Sequence, residues 1–287
     1  MSHNQTQMKR SVVANSSAVA LVTGCSSGIG RATALALARA GFTVWASARN
    51  VDSLTELADA GCRTIRLDVT DEGSRAQAVD AIKAESGHVG LLVNNAGYSQ
   101  PGAVEELPLD SYRRQFETNV FGVIRLCQLV LPGMREAGGG AIVNLGSGAG
   151  LVTPPLSSAY AMSKYALEAL SDSLRFEVAR FGIRTILIEA SAIRSSFTDT
   201  LERALPPQAD DSPYRLVTQN VLRFARNEGD NGIPAERVAD TIVNAVLSSR
   251  PRARYKVGSQ ARIAPLARRA LGDQLWDSVM TRLVRAE

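Results

Sequence analysis

The feature that most constrains this chain is a rhythm. From Ala18 to Gly258, short apolar runs rich in β-forming residues alternate with segments of helical periodicity. The runs are Ala18–Thr23, Phe42–Ala48, Arg63–Val69, Val89–Gly97, Ala141–Ser147, Ile183–Ala190 and Ala253–Gly258. Helices are predicted over Arg31–Gly41, from an Asp52 N-cap to Ala60, over Asp71–Ser86, Asp110–Ala137, Ser157–Phe181 and Ala235–Ser249. Strands that are apolar throughout need cover on both faces, and regular alternation with helices supplies it. The expected fold class is α/β: a doubly wound parallel sheet with helices on both faces, in a single domain of residues 18–258. Ligands of such sheets bind at the carboxyl ends of the strands. Candidate functional residues therefore end a strand, or sit on a helix that faces that edge.

Composition narrows the class further. The chain has 287 residues, 45% hydrophobic and 21% charged, which is the balance of a folded globular protein rather than a disordered one. No apolar run reaches the roughly 18 residues of a membrane span. The first 17 residues are polar without an apolar segment, and are expected to be a flexible tail rather than a secretory signal. Cys25, Cys62 and Cys127 lack metal-ligand spacing, so free thiols, a cytoplasmic location and no metal site are expected. The net charge of +4 is uneven: residues 250–287 hold nine Lys/Arg and three acids, net +6, whereas the rest is −2. The body of the protein therefore carries no nucleic-acid signature.

Between the first run and the first helix lies TGCSSGIG, Thr23–Gly30. Gly24 permits a tight turn, and Gly28 and Gly30 let backbone N–H groups approach a pyrophosphate at a helix N-terminus, where the dipole favours an anion. Ser26, Ser27 and Ile29 of this loop belong to the same candidate cradle. The spacing is G-x-x-x-G-x-G rather than the G-x-G-x-x-G of the standard dinucleotide fingerprint. The second run ends Ser47-Ala48-Arg49-Asn50 with no acid to accept from ribose hydroxyls. Arg49 can pair with a 2′-phosphate, so NADP(H) is preferred over NAD(H) as the expected cofactor.

Tyr160 and Lys164 are four apart on a predicted helix and share a face. A phenol is a poor base near neutrality, and a nearby ammonium is expected to lower its pKa. Tyr160 then donates a proton to a carbonyl oxygen or takes one from a hydroxyl. Ser147 ends the fifth run and can hold the substrate oxygen beside Tyr160, but equally suits a turn or a cap. Asn119, inside the apolar FETNVFG, needs partners: either a water chain from Lys164 or a backbone bond across a kink.

Together these residues resemble the short-chain dehydrogenase/reductase superfamily in its single-domain form, over roughly Ala18–Gly258. The glycine loop, the turn NNAG (Asn94–Gly97) and the spaced Asn119, Ser147, Tyr160 and Lys164 carry the resemblance; ASARN (Ala46–Asn50) looks most like the branch of steroid and retinol dehydrogenases. The resemblance implies a Rossmann-type fold and hydride transfer between a nicotinamide and a carbonyl or alcohol carbon. It implies that Tyr160 is the acid/base, Lys164 lowers its pKa and binds the nicotinamide ribose, Ser147 orients the substrate and Asn119 supports a proton relay. Asp68 and the Val69 backbone would lie beside the adenine, and Asn95, Ala96 and Gly97 would brace the adenosine ribose. Ile193 and Ser195 would reach the nicotinamide carboxamide. Homodimers or homotetramers through the two long helices are implied as well.

The chain departs from the family at one place: Ala190 and Ser191 stand where Pro-Gly is usual, with Ser195 at the family's Thr. The segment Ser196–Gly232 then breaks the rhythm and carries Phe197, Leu201, Leu205, Tyr214, Leu216, Val217, Leu222 and Phe224, which suits a lid over a hydrophobic substrate, steroid-, polyketide- or terpenoid-like, or an extra structural helix pair. Residues 259–287 form a basic amphipathic extension. Its first reading is a helix or two docked on the chain's own core or on a partner subunit, with a membrane-surface contact as the lesser one. The leading expectation is an NADP(H)-dependent oxidoreductase of a hydrophobic ketone or secondary alcohol. A nucleotide-binding sensor without catalysis, and an epimerase that recycles its cofactor in place, stand as alternatives.

Overall fold

The computed structural model describes residues 18–194 and 197–285, so the expected N-terminal tail lies outside the described residues. Seven strands form one parallel sheet: β1 (Val19–Val22), β2 (Thr43–Ala48), β3 (Arg63–Arg66), β4 (Leu91–Asn94), β5 (Gly140–Leu145), β6 (Ile183–Ala190) and, at the far edge, β9 (Arg254–Val257). Their order is β3-β2-β1-β4-β5-β6-β9. The chain leaves β1 towards one edge and returns at β4 to build towards the other. That reversal opens a crevice at the carboxyl ends of β1 and β4, the place where such sheets bind ligands.

Buried strands explain the near-continuous apolar runs: every residue of β1, β4 and β5 is buried. Alternate side chains serve two cores. Ala20, Val22, Val44 and Ile186 point to one, and Leu21, Trp45, Leu92 and Ile142 to the other. On the first face α1 (Gly28–Arg39) meets α9 (Ala235–Leu247) through Ala32, Ala36, Ala235 and Ala239, small residues that let the helices approach closely. On the other lie α3 (Glu72–Ser86), α5 (Gly122–Glu136) and α6 (Ser158–Val178), which contribute Ile82, Leu126 and Leu167.

Local chemistry sets the ends. Asp71 caps α3 by accepting from the Ser74 N–H at 2.5 Å. The segment after β2 departs from expectation. Asn50, not Asp52, is the cap, accepting the Asp52 N–H at 3.0 Å, and a 3-10 turn at Val51–Leu54 precedes the short α2 (Thr55–Asp59). The long helix expected over Asp110–Ala137 is likewise divided. The segments α4 (Leu109–Phe116) and α5 are joined by a π turn at Glu117–Phe121 that carries Asn119.

Beyond β6 come a short strand β7 (Ile193–Arg194), α7 (Phe197–Ala204), α8 (Arg215–Asp230), β8 (Ile233–Pro234), which pairs with β7, then α9, β9 and α10 (Ser259–Arg285). Gly272, at φ 69°, kinks α10 into two pieces. The edge strand β9 is tied inward by ions. Arg254 reaches Glu168 at 3.0 Å and Asp172 at 2.7 Å on α6, and Glu189 at 3.4 Å on β6. Burial pushes the carboxyls of Glu168 and Glu189 up.

Candidate active site

The glycine loop leaves the end of β1 and is bolted to the end of β4. Thr23 Oγ1 accepts the N–H groups of Asn95 (3.0 Å) and Ala96 (2.9 Å) and donates to the Val93 carbonyl. Asn95 Nδ2 donates to the carbonyls of Thr23 at 2.8 Å and Gly24 at 3.1 Å. Gly24 is required twice over: its φ is +70°, and a Cβ there would lie 2.9 Å from the Cα of Ala96. A Cβ on Gly30 would collide with the Gly24 carbonyl. Gly30 therefore also serves the loop's own packing. Thr23 is the residue the sequence reading missed. Its signal is a hydroxyl at the last position of a buried strand, directly before a glycine loop.

The loop fits the phosphates of a dinucleotide. Ser26 and Ser27 are exposed at its tip, and the first turn of α1 carries no acid to oppose an anion. Ile29 faces the other way and packs, together with Ile193 of β7, on the alanine seam of α1 and α9. Arg49 is exposed at the end of β2. Its charge also reaches Asp68. Burial alone would raise the Asp68 carboxyl, but bonds from the Thr70 N–H and hydroxyl, with Arg49 and Arg66 nearby, hold it below its ordinary value. The Val69 carbonyl is occupied within the chain by Arg75 at 2.6 Å. Ser195 lies outside the described residues.

Ser147 lies two residues past the end of β5, and α6 brings Tyr160 near it, so that the Ser147 hydroxyl favours the phenolate. Ser147 caps the following turn, accepting the Ala149 N–H at 3.1 Å, which is the turn role weighed from sequence. One turn along α6, Lys164 is buried and its Nζ donates to the Leu145 carbonyl at 2.7 Å, 5.6 Å from the centre of the Tyr160 ring. Burial draws the ammonium down to about 8. The expected lowering of Tyr160 by Lys164 is not what the chain by itself produces. Removal from water pushes the phenol up, and the Ser147 bond only partly offsets it.

Asn119 is wholly spent on structure in the chain alone. Its Oδ1 accepts the Tyr98 N–H at 3.2 Å, and its Nδ2 donates to the Tyr98 carbonyl at 3.1 Å and to Ser163 Oγ at 3.0 Å. Ser163 in turn donates to the Tyr160 carbonyl at 2.7 Å. The π turn thus aims Asn119 at the loop after β4 and at α6 together, and ties the two.

The helical excursion between β7 and β8 roofs this corner. The ring of Phe197 stands 5.9 Å from that of Tyr160. Residues 205–214 are latched to the segment after β4. Glu106 accepts from Ser212 and from Gln208 (3.1 Å), Tyr214 donates to Glu105 at 2.6 Å, and Gln100 donates to the Ala204 carbonyl at 2.6 Å. Where Pro-Gly is usual, Ser191 supplies a specific tie: its Oγ accepts the Ala261 N–H at 2.9 Å and so holds the first turn of α10.

The chain is similar to known proteins along most of its length. The family model for short chain dehydrogenases matches residues 18–205. An uncharacterized oxidoreductase, YusZ, of Bacillus subtilis is 37% identical over 271 residues, 91% of this chain and 96% of that one. A 3-ketodihydrosphingosine reductase of Bacteroides thetaiotaomicron is 34% identical over 84% of this chain and 87% of its own. An NADPH-dependent 3-dehydrocapnine reductase of Ornithobacterium rhinotracheale is 32% identical over 91% and 95%. The crystal structure of a short-chain dehydrogenase from Streptomyces avermitilis, 34% identical, superposes with a TM-score of 0.76 over 94% of this chain and 96% of that one. With its sheet order, its glycine loop and its matched length, the chain belongs to the short-chain dehydrogenase/reductase family of hydride-transferring oxidoreductases.

Proposed function

We propose that this protein is an NADPH-dependent reductase of a hydrophobic ketone, with Tyr160 as the proton donor. The observation that carries this is the buried Lys164 ammonium 5.6 Å from the Tyr160 ring, with Ser147 beside the phenol just past the end of β5. A ketone oxygen placed between the two hydroxyls accepts from both. Because burial raises the phenol, Tyr160 is protonated at neutral pH, the state a reduction needs. As the proton leaves, Ser147 and the Lys164 ammonium stabilise the phenolate. Asn119 is a positioning residue, holding α6 through Ser163.

The dinucleotide, bound along the strand ends, supplies the hydride. Backbone groups of Ser26–Ile29 hold its pyrophosphate, Asp68 and Val69 flank the adenine, Asn95–Gly97 the adenosine ribose, Lys164 and Tyr160 the nicotinamide ribose, and Ile193 and Ser195 the carboxamide. Arg49 takes the 2′-phosphate, which no acid on β2 repels. The NADPH dependence in the 3-dehydrocapnine reductase's name supports the same preference.

The substrate is an apolar molecule with a secondary alcohol or ketone. Phe197 beside Tyr160, under a lid whose residues alternate apolar and charged, supports this, as do the substrates named for two relatives, 3-ketodihydrosphingosine and 3-dehydrocapnine. The test is NADPH oxidation against a panel of hydrophobic ketones, long-chain 3-ketones included. Turnover is expected, and Tyr160→Phe should lower it by about a thousandfold with NADPH affinity kept. No turnover on any ketone by a protein that binds NADPH would favour a sensor. Arg49→Asp should reverse the NADPH preference; an unchanged preference would sink the 2′-phosphate assignment.

A further inference from the structure

Helix α10 has two unlike sides. The inner side is anchored: Ala261 is buried and donates to Ser191, Arg262 Nε donates to the Lys256 carbonyl at 3.2 Å, and Gln260 donates to Glu228 of α8. It packs against Gly148–Gly150, the turn that follows Ser147, and against α8. The outer side is apolar and open. Ile263 and Leu266, one turn apart, are 62% and 66% exposed, with Arg262 and Arg269 exposed beside them. Past the Gly272 kink, Leu275 and Val279 are exposed on one stripe, and Arg282 continues it.

We propose that α10 seats this enzyme on an anionic lipid surface. Among the described residues no helix is long and apolar enough to cross a membrane. A helix with apolar side chains outward and arginines along its flanks lies in the plane of the interface, its apolar stripe among the acyl chains and its guanidinium groups at the phosphates. The charge selects this occupant. Residues 250–287 hold nine basic and three acidic residues. A second copy on the same face would set Arg262 and Arg269 against their own images, whereas an anionic surface attracts them. A cleft of about 950 Å³ between α9, β9 and the start of α10 is lined by Arg237, Arg252 and Arg262 among others.

The placement gives the docking a use. The inner side of α10 touches the turn after Ser147, and α8, packed on α10, exposes Leu216 and Phe224. Docked this way, the enzyme holds its site beside the phase in which an apolar ketone is dissolved. The docking itself goes beyond the redox reading, because it is measured without turnover.

The experiment is sedimentation of the full chain with lipid vesicles of phosphatidylcholine alone or with about 30 mol% phosphatidylglycerol. The protein should pellet with the anionic vesicles, stay in the supernatant with neutral ones, and be released by high salt. Leu266→Glu with Leu275→Glu should abolish pelleting while the melting temperature and NADPH binding hold. Arg269→Gln with Arg282→Gln should weaken it by about tenfold or more. Protein that stays in the supernatant with anionic vesicles at low salt would overturn the proposal. So would the leucine pair turning an oligomer into a monomer with no vesicle binding by the parent chain, which would make the face an interface between copies. Pelleting that ignores the arginine pair would remove the electrostatic half and overturn it as stated.

Discussion

Two connections reach the functional edge of the sheet, and they are built in opposite ways. The glycine loop spans eight residues, and its backbone is locked by Thr23 and Asn95 through bonds of 2.8 to 3.1 Å that join the ends of β1 and β4. The excursion between β7 and β8 is several times longer, and its joining stretch hangs on side chains of one short segment, Gln100, Glu105 and Glu106. A loop whose backbone is bonded across two strand ends of the sheet keeps one shape whatever it binds. A roof tied by half-exposed carboxylates opens at small cost. Under the proposed function, the difference would give rigid recognition to the cofactor side and adjustable recognition to the substrate side.

The largest effect is expected at Lys164, on the helix that carries Tyr160. Its ammonium sits near 8 in the fold against an ordinary 10.5, because burial disfavours the charge. Between those values the folded state binds fewer protons than the unfolded chain, so this group's contribution to stability rises as pH climbs from about 8 to 10.5, and below that window the fold bears the full penalty. Lys164→Met should therefore cost about a hundredfold or more in turnover. At neutral pH it should stabilise the fold by about 2 kcal/mol, after the lost bond to the Leu145 carbonyl is set against the relieved charge. Melting curves across pH check it: the parent should gain on the variant as pH rises through the window. A variant less stable than the parent at pH 7 would mean that the ammonium is not penalised where it lies.

The second effect separates the regions. Asn95→Ala removes both donors to the Thr23 and Gly24 carbonyls and should destabilise by about 2 kcal/mol. It should also weaken NADPH by roughly tenfold, since the loop then has to be ordered on binding. Asn95→Asp is the sharper variant, nearly the same size with an acceptor where the donor stood, facing two carbonyl oxygens. It should be worse than alanine in both melting temperature and NADPH titration. If aspartate is tolerated better, the loop is held by something other than this amide.

The same contrast explains what could be read from sequence. The sheet was legible because buried parallel strands demand apolar runs, and the site residues because Gly24, Tyr160 and Lys164 act through spacing within one loop or helix. What stayed hidden depends on partners far along the chain. Asn119 finds Tyr98 and Ser163, Arg254 finds Glu168 and Glu189, and Ser191 finds Ala261. The Asn50 cap was missed for a local reason, since Asn50 and Asp52 are both good caps and the 3-10 turn decides between them. The shift at Tyr160 was misread because spacing places the ammonium near the ring but says nothing of how little water reaches either group.

The smallest effect tests the roof alone. Glu106 accepts from both Ser212 and Gln208 of the stretch before α8. Glu106→Ala removes both acceptors from a half-buried position, so stability should fall by only about 1 kcal/mol. NADPH affinity should not move, because the glycine loop shares no bond with this segment. KM for an apolar ketone should rise a few-fold, roughly the factor that about 1 kcal/mol of lost closure sets. If product release through the roof limits the cycle, kcat should rise with KM, and single-turnover rates should stay level. Glu106→Gln keeps one oxygen acceptor and should fall between the parent and alanine. A Glu106→Ala protein that loses NADPH affinity as Asn95→Ala does would show that the roof and the loop form one rigid unit, and the division between a fixed cofactor side and a movable substrate side would have to be given up.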